Sequence, residues 1–166
     1  QVIGEYDGLI VRSGIKVPAR CLANSGRLKA IARAGVGVDN IDVEAATAQG
    51  VLVMNSAEAS TYSTAEHAFT LMMALCRQIG PAYETMHHGG WDRNKFMGRQ
   101  LHGKTLGVVG MGRIGRTVAE RALAFGMTVV GYDPMVNAPT LMEGKVRMFR
   151  EFAELLPHVD CLITSQ

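Results

Sequence analysis

The sequence is short of most features that would assign it at a glance. Its most apolar stretch, Ala68 to Cys76, is bounded by Glu66-His67 and Arg77, far below the roughly 20 apolar residues that cross a bilayer. No membrane span is expected, and the opening residues show no secretory pattern. Cysteine is scarce: Cys21, Cys76 and Cys161 are odd in number and widely spaced, which suggests neither a disulfide framework nor a zinc site. A reduced, cytoplasmic setting without a bound metal is the expectation. Charge of one sign is lacking too, since 17 Lys+Arg against 15 Asp+Glu leaves a net of +2. With no basic cluster, nucleic acid is not an expected partner.

Apolar residues, by contrast, are plentiful at 48%, which excludes a disordered tail. Glycine is enriched, with 19 residues and no collagen-like period, so it serves local backbone geometry. A length of 166 residues suits one domain, or one unit plus a piece of another. The first residue is Gln, and Leu162-Ile163-Thr164 reads as a strand that stops; we expect an excerpt of a longer chain.

Short apolar runs alternate with helical stretches. Strands are predicted at 7–11, 28–32 and 51–54, with helices at 18–24 and 41–49, the second stopped by Gly50. Strands separated by helical connections pair in parallel. Ser63-Thr64-Ala65-Glu66 fits a capping box, and Ala65, Phe69, Met72 and Cys76 recur at helical spacing. That helix is expected to continue through Pro81 to Met86 and to end at His87-His88-Gly89-Gly90. Adjacent helical positions point about 100° apart, so His87 and His88 make poor co-ligands. The irregular stretch 91–103 reads as a linker held by Trp91. A second run follows: strand 105–109, helix 114–125, strand 128–132, helix 149–156, strand 161–164, with Gly126 as a C-terminal cap. The division expected is 1–62, 63–103 and 104–166, and the fold class is α/β.

Gly110-Met111-Gly112-Arg113-Ile114-Gly115 is the sharpest motif. It follows an apolar strand and opens a helix, the context a dinucleotide-binding loop requires. Gly110 permits the tight turn, Gly112 lets backbone approach a pyrophosphate, and Gly115 lets the helix pack on its strand. Unpaired amides and the helix dipole then meet the anion, with Arg113 beside it. Asp133 stands 18 residues beyond Gly115, at the end of the next strand. There a carboxylate accepts from ribose hydroxyls and repels a 2′-phosphate, so NAD is favoured as cofactor. A second pair, Gly35-Val36-Gly37, has Asn40 at its third position and is not another dinucleotide site. It is either a nest for a carboxylate or a plain tight turn, with Asp39 or Asn40 capping the next helix. Arg12-Ser13, with Lys16 near, follow the first strand at the end where α/β sites form.

Together these residues resemble the D-isomer-specific 2-hydroxyacid dehydrogenases. The resemblance is carried by Gly8-Leu9-Ile10-Val11-Arg12-Ser13, Arg33-Ala34-Gly35-Val36-Gly37-Val38-Asp39-Asn40, Val53-Met54-Asn55, Trp91 to Gly98, the glycine motif and Gly131-Tyr132-Asp133-Pro134. Val11-Arg12-Ser13 and Lys95-Phe96-Met97-Gly98 tip it toward members acting on a phosphorylated hydroxy acid. The resemblance implies Rossmann-like parallel sheets. One belongs to a partial substrate domain, completed by chain returning from the C-terminal side. The other is the first half, three strands, of a doubly wound NAD-binding domain. It further implies that Gly35, Val36 and Gly37 hold the substrate carboxylate, with Val36 bordering the nicotinamide. Arg12 and Ser13 lie on the substrate side, Arg12 facing the phosphate. Gly110, Gly112, Arg113, Ile114, Gly115 and Asp133 hold NAD. The family's catalytic Arg, Glu and His fall downstream of position 166, so no catalytic residue is assigned and this stretch alone is expected to be inactive. The full-length protein is expected to be a homo-oligomer. Ala57 replaces a usual Pro, and Ser165 stands where a His usually follows. Two alternatives stay open: a dehydrogenase for glycerate or lactate, and a corepressor-like NAD-sensing binding protein.

Overall fold

The computed structural model describes residues 2–165, and the chain divides into two compact units, Gln1–Ser60 and Thr61–Gln166.

In the first unit, β1 (Gly8–Val11), β2 (Ala30–Arg33) and β3 (Leu52–Asn55) form a parallel sheet in the order β1-β2-β3. The crossovers carry α1 (Ala19–Leu22) and α2 (Val43–Ala48). Val11 and Ile31 on one sheet face are buried with Leu22, Ile41 and Ala46 from the crossovers. Each buried Val, Leu or Ile among them contributes about 1.5–3 kcal/mol. The other face leaves Ile10, Leu52 and Met54 exposed, Ile10 at 78%. The second strand begins two residues later than predicted. Leu28 is spent on a turn, its amide donating to Ser25, while its side chain enters the core. The cap of α2 is neither Asp39 nor Asn40 but Asp42, whose Oδ1 accepts from the Ala45 amide at 2.9 Å. Asn40 is buried instead, its Nδ2 donating to the carbonyls of Arg12 (3.1 Å) and Ile15 (2.6 Å).

The second unit opens with α3 (Thr61–Cys76) and α4 (Ile79–His87). The expected capping box lies inside α3, which starts two residues before Ser63. Glu66 reaches Arg121 at 3.2 Å instead. The continuous helix predicted through Met86 is broken at Gln78, which adopts φ +52°. The cause is the linker: the Arg99 amide takes the Cys76 carbonyl at 2.8 Å, and Gly98 packs so closely there that a Cβ would overlap that oxygen. Trp91 does not hold the linker, being 73% exposed; buried Leu101 and the Gln78 side chain, donating to the Met97 carbonyl, do so.

β4 (Thr105–Val109), α5 (Arg113–Ala124), β5 (Thr128–Tyr132), β6 (Thr140–Leu141), β7 (Val146–Phe149), α6 (Phe152–Leu155) and β8 (Cys161–Thr164) complete the unit. Gly126, at φ +73°, follows the end of α5 as a C-terminal cap glycine. The sheet order is β6-β7-β5-β4-β8, parallel except for β6. Leu106, Val108, Val118 and Ala122 are fully buried between the sheet and α5, beside Phe69 of α3. Val130, Phe149 and Leu155 form a second cluster. The expectation of three strands and a helix from Phe149 is therefore corrected. Val146 and Met148 alternate with exposed Arg147, a strand pattern, and pair with β5. The helix is confined to four residues and gives way to a 3-10 turn containing Pro157, whose ring cannot continue an α-helix.

Asp160 ties the start of β4 to that of β8, accepting from the Thr105 amide at 2.9 Å and from Lys104 Nζ at 3.2 Å. Those bonds, the backbone one first, hold its carboxyl below the usual carboxylate value. A carboxyl depressed by folding contributes stability at neutral pH that fades as pH falls through the folded value.

Candidate functional site

Two clusters gather most of the residues singled out above, one in each unit. In the first unit, the register Val11↔Arg33↔Asn55 aligns the carboxyl ends of the three strands. Arg12 and Ser13 follow β1 and are exposed, as is Lys16. Arg33 ends β2 and leads into Gly35-Val36-Gly37. The loop is fixed from behind: Asn55 Nδ2 donates to the Val36 carbonyl at 2.6 Å, and the Ser56 amide to that of Gly35 at 3.0 Å. Among the described residues the Val36 and Gly37 amides donate to no protein acceptor, as an anion nest requires.

Arg33 was not singled out by its sequence position. Its guanidinium lies against the loop, so that a Cβ on Gly35 would come within 2.6 Å of Nη1. Its Nε is buried without a hydrogen-bond partner. A buried donor without a partner costs free energy, so packing of this arginine is not offset by a hydrogen bond at Nε. Its place as the last strand residue before a double-glycine loop was the available signal. Asn55 entered only as part of the Val53-Met54-Asn55 match, and its role depends on the register of β3.

In the second unit, the chain leaves β4 toward β5 and β7 and returns to β8 on the other side of β4. The Gly110–Gly115 loop sits at the carboxyl end of β4, beside this reversal of strand order, where ligands bind in doubly wound sheets. Gly110 has φ +91°, and a Cβ there would overlap the Ser165 carbonyl oxygen. A Cβ on Gly115 would overlap the Gly110 carbonyl oxygen and meet Val108 at 3.2 Å. Gly112 differs: a Cβ there meets nothing within 4 Å. Two glycines are thus demanded by the protein's own packing, and the third opens space outside it. That space adjoins the Ile114 and Gly115 amides, which have no acceptor within the helix because they lie in its first turn. The residues present fit a bound pyrophosphate.

Asp133 follows β5. Its Oδ2 accepts from the Met111 amide at 2.8 Å and its Oδ1 from the Met135 amide at 2.8 Å. Arg116 Nε donates to the Met111 carbonyl at 2.9 Å, so Met111 is held at both ends. Each carboxylate oxygen retains capacity for a further donor. Beside Asp133 is a cavity of about 660 Å³, bordered by Pro134, Val136, Phe149 and Arg150, within the size range of nucleotide pockets. Among the described residues no group of three or more His, Cys, Asp or Glu is placed to hold a metal, and no helix is long and apolar enough to cross a membrane.

A glycine loop at the switch point of a doubly wound sheet, with an acidic residue ending the next strand, is the arrangement of a dinucleotide-binding domain. Comparison narrows the class. The description "D-isomer specific 2-hydroxyacid dehydrogenase, NAD binding domain" matches residues 69–165. The chain belongs to this family of NAD-dependent oxidoreductases. It is 47% identical over 158 residues to the D-3-phosphoglycerate dehydrogenase of Methanocaldococcus jannaschii, covering 95% of this chain and 30% of that one. It is 53% identical over 133 residues to the D-3-phosphoglycerate dehydrogenase of Rattus norvegicus, covering 80% and 25%. The chain thus spans about a third or less of the length of these relatives. Among solved structures, D-lactate dehydrogenase from Aquifex aeolicus, complexed with NAD and lactic acid, matches with a TM-score of 0.89 and 30% identity, over 99% of this chain and 49% of that one.

Proposed function

We propose that the whole protein oxidises D-3-phosphoglycerate to 3-phosphohydroxypyruvate with NAD, a step of serine biosynthesis in the cytoplasm. The observation that carries this reading is the pair of cations at the strand ends of the first unit. Arg12 ends the β1 side and Arg33 the β2 side, flanking a loop with unpaired amides. A phosphorylated hydroxy acid has two anionic groups and needs two such receptors; lactate needs one. Gly35, Val36, Gly37 and Arg33 take the carboxylate, while Arg12, with Ser13, takes the phosphate. The names of the curated relatives support the same substrate.

Gly110, Gly112, Arg113, Ile114 and Gly115 would hold the NAD pyrophosphate, and Asp133 the adenosine ribose. When bound, NAD supplies the hydride acceptor for the carbon bearing the hydroxyl. The residues of this chain bind and orient. A second copy is the proposed partner for α3 and α4, where Leu71, Leu75, Ile79 and Tyr83 are exposed.

In the full-length protein, Arg12→Ala is expected to lower kcat/KM for D-3-phosphoglycerate by about 100-fold, the loss of a charge-assisted contact. Oxidation of D-glycerate, which lacks the phosphate, should change by less than about threefold. Steady-state kinetics on both acids make the comparison, and equal losses would remove Arg12 from the phosphate.

A further inference from the structure

Asn40 belongs to neither anion receptor of the first unit, yet it joins their two loops. It follows Gly35-Val36-Gly37 in the same loop and is only 8% exposed. Residues 12–15 form a tight turn in which the Ile15 amide donates to the Arg12 carbonyl at 3.1 Å, with Ser13 and Gly14 between them. Asn40 Nδ2 grips this turn at both ends, donating to the Arg12 carbonyl at 3.1 Å and to the Ile15 carbonyl at 2.6 Å. The chain beyond the turn is held by the same residue, since the Val17 amide donates to the Asn40 carbonyl at 2.7 Å. Among the described residues Asn40 Oδ1 is buried without a hydrogen-bond partner, and such an acceptor costs free energy. Stability alone does not explain an amide here, because leucine fills a similar volume without an unpaired oxygen. The Gly35–Gly37 loop has separate support: Asn55 Nδ2 and the Ser56 amide fix its carbonyls from the β3 side. Loss of the Asn40 amide therefore frees the turn and leaves the nest in place.

We propose that Asn40 is a positioning residue for substrate selection. It holds the Arg12–Ile15 turn at a fixed span from the Gly35–Gly37 nest, so that a small acid with a carboxylate at one end and a phosphate at the other meets both receptors at once. Without it, each substrate must order the turn as it binds, and that ordering weakens binding. The loss falls on the phosphorylated acid, because only its phosphate uses the turn. This role rests on the substrate reading in which Arg12 receives the phosphate.

The test compares kcat/KM for D-3-phosphoglycerate and D-glycerate in full-length wild type, Arg12→Ala, Asn40→Leu and the double variant. Asn40→Leu is expected to lower the preference for the phosphorylated acid about tenfold, chiefly through KM, since the phosphate is not on the reacting carbon. In the double variant the preference should be no lower than in Arg12→Ala, because residues that act through one contact are not additive. Asn40→Ser, which adds no bulk and reaches at most one carbonyl, gives the same comparison if leucine prevents folding. A purely structural asparagine would lower both rates alike and leave the preference as in wild type. That result overturns the proposal, while a preference lost in Arg12→Ala keeps the substrate reading. Losses that multiply in the double variant also overturn it, since Asn40 would then act elsewhere than through Arg12. An unchanged preference in Arg12→Ala removes the substrate reading and the proposal with it.

Discussion

Gly112→Ala in the full-length protein is expected to weaken NAD binding at least tenfold, about 1.4 kcal/mol, while leaving thermal unfolding of the nucleotide unit nearly unchanged. A Cβ at this position touches no protein atom within 4 Å. Exchanging glycine for alanine before a helix costs under about 1 kcal/mol. The methyl group would instead occupy the space a pyrophosphate needs against the first turn of α5. The neighbouring glycines behave oppositely. Gly110→Ala must place a side chain at φ +91° and against the Ser165 carbonyl, and Gly115→Ala must push α5 off the Gly110 carbonyl. Each should destabilise the unit by about 3 kcal/mol or more, losing NAD through loss of structure. Calorimetric titration with NAD beside a thermal melt separates the two kinds of loss. If Gly112→Ala binds NAD as well as wild type, the loop is structural only.

Arg33→Met is expected to lower kcat/KM for D-3-phosphoglycerate by about a thousandfold, while the protein's melting temperature holds or rises. The buried Nε of Arg33 has no partner, and an unsatisfied buried donor costs about 1–3 kcal/mol. Methionine keeps much of the stem and removes that cost. A substrate carboxylate at the loop is proposed to accept from the outer guanidinium nitrogens, of which Nη1 lies nearest Gly35, and that contact is what the variant loses. An arginine kept for packing would show the reverse, a lower melting temperature and little change in kinetics. Kinetics and melts on one preparation decide between them.

The nucleotide half of the fold was legible because its signals are local. Strands 105–109, 128–132 and 161–164 are continuous apolar runs bounded by glycine or polar turns, and they fall where predicted. What was missed depended on tertiary partners. β7 pairs with β5 across the register Gly131↔Met148, which four residues with an arginine among them do not announce. The break between α3 and α4 comes from the Arg99 amide claiming a helix carbonyl, an event twenty-odd residues away in sequence. The glycine loop and Asp133 were readable by spacing. Arg33 and Asn55 were quoted only within longer matching stretches; the place of Arg33 against the loop, and the contact of Asn55 with it, emerged from the fold. Asn40 was misread for a related reason. Its amide spans two carbonyls of the β1 loop, so a residue of capping type serves a long-range link.

The measurement that bears most directly on the whole account is the initial rate of NADH formation by the full-length protein with D-3-phosphoglycerate, D-glycerate and D-lactate. Two cations for two anionic groups, and a carboxylate opposing a 2′-phosphate, predict D-3-phosphoglycerate preferred by about 100-fold or more in kcat/KM, with NAD well ahead of NADP. Comparable rates on the unphosphorylated acids, or a preference for NADP, would contradict it.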